Sequence, residues 1–324
     1  MDNKITKSRL SNFLSYEWIL MLLVIGLAIL GWEVVFSVSQ VKLTAGQEYY
    51  YYFDLGVSAD DEGFGNYLKN TFSYDVLEVH SEYITEASTD LDVLALKYSA
   101  NEVDAVFTNS QKEQTSGEEY AYCRANLVID SFGAWDLQEY YQSACDYLKG
   151  FLKEGETDYL KFENLSKEKI EECFLARNGK DNRYRANLIS VENENARIEK
   201  LCGDVASFKA ILEYDATLSA ENSIFYRYVK YEQSYKTARF DSDKEEYLPL
   251  YQQETEKIYG IKLDKLPSAE GKKKASEMFA IGEATTAENV VLVAIKPLDG
   301  NLDLQFETFG LINTVVSSFS SILD

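Results

Sequence analysis

Histidine is nearly missing from this chain of 324 residues, and His80 is the single copy. A Ser-His-Asp or Cys-His site needs an imidazole as its general base, so any such site would have to be built on that residue. No HExxH, GxSxG, P-loop or GxGxxG motif occurs, which leaves the readable protease, hydrolase and nucleotide-binding classes without support. Proline is scarce, with three copies, and no long Gly/Ser tract breaks the chain, so the composition is not that of a disordered protein. Cysteine occurs four times, at Cys123, Cys145, Cys173 and Cys202, with no CxxC pair. Zinc ligation and thioredoxin-like chemistry are therefore not expected. Two readings stay open for these thiols, disulfides of undetermined pairing or small buried hydrophobes.

Basic charge is the next shortage. Lys and Arg number 32 against 54 Asp and Glu, for a formal charge of −22. Nucleic-acid binding needs a basic footprint and is not expected. The one basic run, Lys272-Lys273-Lys274, reads as a solvated helix face. Carboxylates are so common that no acid/base pair stands out. The segment Asp299-Gly300-Asn301-Leu302-Asp303 lacks the EF-hand spacing and its terminal Glu, and reads as a turn. The expectation is a non-enzymatic protein without metal or cofactor.

Long hydrophobic runs are absent with one exception. Residues Trp18 to Val38 are apolar except for Glu33 and Ser37. As a helix this run spans about 31 Å, against a bilayer core of roughly 30 Å. Lys4, Lys7 and Arg9 outweigh Asp2 and Glu17 in the preceding tail, which places residues 1–17 on the cytoplasmic side and the C-terminus outside. Trp18 and Trp32 occupy belt positions, and Glu33 lies at headgroup depth. Ser37-Val38-Ser39 is a small-x-small triplet and would suit signal cleavage. The apolar run is longer than a signal peptide's core, which favours an uncleaved anchor over 18–38 followed by a linker over 39–46.

Beyond the anchor the patterns alternate. Tyr49 to Leu55 reads as a strand, Gly63 to Thr71 as a short helix and Tyr74 to His80 as a second strand. Leu91, Leu94, Ala95 and Tyr98 then make a helical stripe over 90–99, and Glu102 to Thr108 closes a parallel α/β unit. Helices are expected over 134–152, 166–174, 196–214, 217–236 and 243–259. The all-apolar stretch over 290–295 reads as a buried strand, and an amphipathic helix follows over 309–323.

The order of Asp75-Val76-Leu77-Glu78-Val79, Leu91-Asp92-Val93-Leu94-Ala95-Leu96 and Asn101-Glu102-Val103-Asp104-Ala105-Val106-Phe107 resembles the opening of an extracytoplasmic solute-binding protein of ABC importers, in the two-lobed periplasmic-binding class. Val290 to Pro297 with the final helix resembles such a protein's late strand and helix. The likeness covers about a third of the chain. It implies an α/β fold with lobe 1 over 47–125, a helix-rich lobe 2 over 126–260 and a return to lobe 1 over 261–324. It also implies an interlobe cleft that closes on a ligand. In parallel sheets ligands sit beyond the carboxyl ends of the strands, which points to Asp60 and Asp61 after the first strand and to Asn109 and Ser110 after the third. Trp135, beside Gly133, is the candidate stacking platform for a sugar. Two functions follow. One is a membrane-tethered receptor that hands a small solute, plausibly a carbohydrate, to a transporter permease. The other is an accessory, sensor or scaffold subunit of a transporter or envelope complex that binds no solute; an exported hydrolase ranks third.

Overall fold

The computed structural model describes residues 18–39, 48–55, 62–72, 78–84, 91–113, 122–176, 188–229, 231–241, 246–253, 256–278, 280–281, 284–285, 288–298 and 306–324. Residues 1–43 and 44–324 form two separate compact units. The first holds helix α1, Trp18–Ser39, of 22 residues. Its described side chains run unbroken from Met21 to Val35, a shorter stretch than the helix itself. Among the described residues no helix is long and apolar enough to cross a membrane.

The second unit is built on a six-stranded mixed sheet. Its strands are β1 (Glu48–Asp54), β2 (Glu78–Tyr83), β3 (Ala105–Asn109), β4 (Phe225–Tyr228), β5 (Lys257–Lys262) and β6 (Val290–Ala294), in the order β2-β1-β3-β6-β5-β4. β1 runs parallel to β2 and β3, whereas β6 lies antiparallel to both β3 and β5, and β4 antiparallel to β5. Helices α2 (Glu62–Thr71), α5 (Leu137–Lys149), α7 (Leu188–Asp215) and α8 (Thr308–Phe319) supply the core on one face. α3 (Asp92–Ser99) and α4 (Arg124–Ser131) cover the other, and α6 (Lys167–Ala176) packs against α7.

The aromatic run of β1 shows why this sheet is central. Alternation sends Tyr49, Tyr51 and Phe53 to the first face and Tyr50 and Tyr52 to the second, so both sides are buried. Phe53 stacks between Tyr83 of β2 and Phe107 of β3, at centroid distances of 4.5 and 4.8 Å. Burying each such ring contributes about 1.5–3 kcal/mol. Tyr51 donates its hydroxyl to the Gly65 carbonyl, and the Gly65 N–H donates to the Tyr83 hydroxyl, both at 3.0 Å. A Cβ at Gly65 would run into that hydroxyl, so only glycine lets α2 sit this close to the sheet.

One ionic cluster lies inside the helical layer. Arg197 of α7 donates to both Glu194 carboxylate oxygens at 2.9 and 3.1 Å, to Glu307 Oε1 at 3.0 Å and to the Tyr147 hydroxyl at 3.1 Å. All three charged groups are buried. Burial opposes the guanidinium's charge, but Glu194, Tyr147 and Glu307 hold its pKa above the ordinary arginine value. The cluster joins α7, α5 and the start of α8.

Several sequence expectations shift here. The helices expected over 217–236 and 243–259 are replaced by β4, a hairpin of Tyr231–Asp241 with Glu246–Gln253, and β5. Tyrosine and phenylalanine dominate those stretches, and their strand preference overrides a spacing that also fits a helix. Of the strand expected over 74–80, residues 74–77 lie outside the described residues, and the described edge strand, Glu78–Tyr83, continues past His80 with His80 and Glu82 on one side of its pleat. α5 and α7, from the stretch assigned to a second lobe, pack on the same sheet as β1. Residues 44–324 are one compact unit. All four cysteines are free, with Cys123, Cys145 and Cys202 buried.

Candidate functional site

The carboxyl ends of β1 and β3 are the place where a parallel sheet presents its loops. Asp54 closes β1, is 1 % exposed and pairs in register with Thr108. Arg124, the first residue of α4, grips it with a two-pronged fork: Nε donates to Oδ2 and Nη2 to Oδ1, both at 2.8 Å. The pair pins the amino end of α4 over the strand ends, where the helix dipole also favours the carboxylate.

Around this pair the polar groups are engaged with one another. Asn109 turns its side chain back, its Oδ1 accepting the Gln111 N–H at 2.7 Å. The Ser110 N–H and hydroxyl both donate to the Asn289 carbonyl, at 2.7 and 3.0 Å. Asn289 takes a left-handed φ of 60°, and this turn leads into β6. The Cys123 thiol donates to the Ser110 carbonyl at 3.5 Å and lies 3.4 Å from the Tyr226 hydroxyl. Tyr226 in turn donates to Asn126 Oδ1 at 2.7 Å. Burial, reinforced by the hydrogen bond to Cys123, pushes the Tyr226 phenol well above its usual pKa and keeps it neutral. The one polar atom here without a partner among the described residues is Thr108 Oγ1, which is fully buried.

Trp135 sits away from this cluster. It is 9 % exposed, its N–H of the backbone donates to the Ala294 carbonyl, and Tyr140 packs against it at 5.1 Å. The Lys296 ammonium stands over its ring, 4.5 Å from the centroid. A sugar would have to displace that cation. Gly133, beside it, takes a left-handed φ of 59°, and the residue after it, Ala134, bridges to Ile295. Asp60 and Asp61 lie outside the described residues.

His80 is remote from the thiols. It pairs in register with Tyr50 near the start of β1, stacks on that ring at 4.6 Å and lies 3.9 Å from both Glu48 and Glu78. Cys123 meets the opposite end of the strands, so no Cys-His pair forms. Among the described residues no group of three or more His, Cys, Asp or Glu could hold a metal ion. A shallow groove of about 700 Å³ lies elsewhere, lined by Lys153, Lys161, Lys167, Glu163, Glu168 and Glu199. Its charges balance, and Lys153 is spent on the Glu163 carbonyl.

Sequence reasoning found Asn109 and Ser110 at the strand end but missed Asp54 and Arg124. An acidic residue ending a buried aromatic strand is a readable signal that a cation must come to it. Which cation does so depends on tertiary contacts. Comparisons with family models, curated proteins and solved structures return no match.

Proposed function

We propose that this protein is a membrane-tethered extracytoplasmic module that acts through its surface, as an accessory, sensor or scaffold subunit of a transporter or cell-envelope complex. The observation that carries this reading is the self-satisfied carboxyl end of the sheet, where Arg124 occupies Asp54, Asn289 occupies Ser110 and Gln111 occupies Asn109; away from it, Lys296 caps Trp135. A solute would have to break these bonds before making its own. The apolar run from Trp18 to Val38 and the basic tail before it support the tether and its orientation. The sheet order, with β6 returning antiparallel beside β3, supports descent from the first lobe of a solute-binding protein. The second reading, capture of a solute, is favoured by one observation, the unpartnered hydroxyl of Thr108 beside Asp54.

Thermal unfolding of the full chain in detergent, screened against sugars, amino acids and short peptides, separates the two. A ligand at 100 times its Kd stabilises by about 2.7 kcal/mol. The expected result is no saturable shift with any member of the panel. A saturable shift overturns the proposal in favour of a receptor.

A further inference from the structure

Outside α1, four large apolar side chains are exposed among the described residues: Val93, Leu96, Leu175 and Leu298. Three of them belong to one place. On α3, Leu94 and Tyr98 turn toward the sheet, where Leu94 is buried and Tyr98 packs on Phe132 with centroids 5.4 Å apart. Val93, Leu96 and Ala100 recur at i, i+3 and i+7 and make a separate stripe along the helix. Val93 is 52 % exposed and Leu96 71 %. Among the described residues, α3 thus carries apolar side chains on both sides while only one side meets a protein layer, a pattern that marks an interaction site on a folded surface. The third exposed residue joins at the helix end. Asn101, at a left-handed φ of 60°, accepts the Leu298 N–H on its Oδ1 at 3.0 Å, and Leu298 is 55 % exposed.

Charge says what kind of partner fits. Lys97 of α3 bridges Glu82 of β2 and Glu102, at 3.6 and 3.2 Å. Glu78, on the same edge strand, and Glu48, beside it on β1, each lie 3.9 Å from His80. Lys97 therefore stands against two glutamates beside α3, and Glu78 and Glu48 extend the acidic strip along β2 and β1. A second copy of this chain would bring an identical acidic rim against the first, and an anionic lipid surface would be repelled likewise. We infer that α3 with Leu298 is a docking surface for a cationic amphipathic segment of another protein, whose apolar side chains cover Val93, Leu96 and Leu298 while its Lys or Arg residues meet Glu82, Glu102 and Glu78. Apolar contact sets how long such a partner stays, and the acidic rim sets how fast it arrives and which partners are refused.

The inference rests on the reading of the protein as a surface-acting subunit, and its test is separable from the solute screen. The full chain is placed in phosphatidylcholine nanodiscs and titrated against a fluorescent leucine-lysine peptide with helical spacing, followed by anisotropy in 150 mM salt. Empty nanodiscs give the lipid background. Saturable binding is expected to weaken at least tenfold in a variant carrying Leu96→Asp and Leu298→Ser, and at least fivefold in one carrying Glu82→Lys and Glu102→Gln. Leu175→Ser, on α6, should leave it within twofold. Circular dichroism checks that each variant stays folded, and Leu96→Ser replaces Leu96→Asp if the latter lowers the melting temperature. Binding that survives the patch variants within twofold, or that matches empty nanodiscs, overturns the docking surface. Self-association of the wild type that Leu96→Ser abolishes overturns it too, since the stripe then receives a second copy. A solute-induced thermal shift would instead overturn the proposed function and leave the peptide result standing.

Discussion

Replacing Arg197 by methionine tests whether the buried ionic cluster holds the helical layer together. The guanidinium makes four hydrogen bonds, to Glu194, Glu307 and Tyr147, and it is the cation that these two buried carboxylates share. Glu307 Oε2 already lacks a partner among the described residues, so this acid has no reserve. Removing one partner of a buried pair costs about 3–5 kcal/mol, because the charge left behind is desolvated and unpaired. Here one substitution removes the cation of Glu307 and a two-pronged partner of Glu194 together, which places the expected loss at the upper end, about 5 kcal/mol. For a unit of this size each kcal/mol lowers the melting temperature by about 2–4 °C, so a fall of about 10–20 °C is expected. The assay is thermal unfolding followed by circular dichroism at 222 nm. A triple variant, Arg197→Met with Glu194→Leu and Glu307→Gln, removes the stranded charges as well and should recover at least half of the loss. A single variant that loses less than about 1 kcal/mol refutes the reasoning, as does a triple variant no more stable than the single one.

Further outcomes follow from individual groups. Asp136 caps α5 through the Gln138 N–H, and burial raises its pKa above the ordinary aspartate value despite that bond. The folded state therefore binds its proton more tightly than the unfolded chain does, and stability falls as pH rises from the ordinary aspartate value through the raised one. Asp136→Asn keeps a capping oxygen without that titration, so it should gain on the wild type as pH rises through this window in paired melting curves; a constant difference across pH would refute the assignment. Gly260→Ala in β5 would place a Cβ 2.6 Å from the Leu292 carbonyl oxygen and from Val291 Cγ1. A backbone oxygen inside a sheet cannot retreat, so a loss of about 1–3 kcal/mol is expected in urea titrations, and a neutral result would mean that β5 and β6 are not neighbours in this register. Four free thiols predict that denatured, unreduced protein takes up four equivalents of iodoacetamide by mass spectrometry; two or none would show disulfides. Protease added outside intact cells should remove residues 44–324 and spare a tag placed before Met1, the reverse pattern refuting the orientation.

How far the sequence speaks differs from element to element. β1, β3, β6 and α8 were legible because their signals are one-sided: a continuous aromatic or aliphatic run fits only a strand buried on both faces, and a 3,4,3,4 spacing fits only a helix. β4 and the hairpin that follows it were misread as helix because tyrosines spaced two and three apart satisfy both periods, and tertiary pairing decides between them. At the candidate site, Asn109 and Ser110 were found by the rule that loops follow the carboxyl ends of strands. Their actual partners, Gln111 and Asn289, lie two and 179 residues away. The second distance is the physical reason no local pattern reveals it. Trp135 was proposed as a platform from a neighbouring glycine, whereas the cation over its ring comes from Lys296, across the chain in sequence.

The carboxyl ends of β1 and β3 and the β2 edge of the sheet use their polar groups in opposite ways, and this bears on where a partner would bind. At the carboxyl end, Asp54 is matched by Arg124 with ideal fork geometry, and the neighbouring amide, hydroxyl and thiol groups close a circuit of hydrogen bonds through Ser110, Cys123, Tyr226 and Asn126. Opening that circuit would leave buried donors and acceptors unpaired, at about 1–3 kcal/mol for each group. A weakly bound small molecule cannot offset such a cost. Along the β2 edge, Lys97 bridges Glu82 and Glu102, His80 lies between Glu48 and Glu78, and all four carboxylates remain partly open to solvent beside the exposed Val93 and Leu96 of α3. Apart from the Lys97 bridges, a cation meets carboxylates there that are already partly solvated, so it has less to break. The docking surface proposed on α3 thus lies by an edge of the sheet whose carboxylates are already partly solvated, rather than over the closed circuit at the carboxyl ends of β1 and β3.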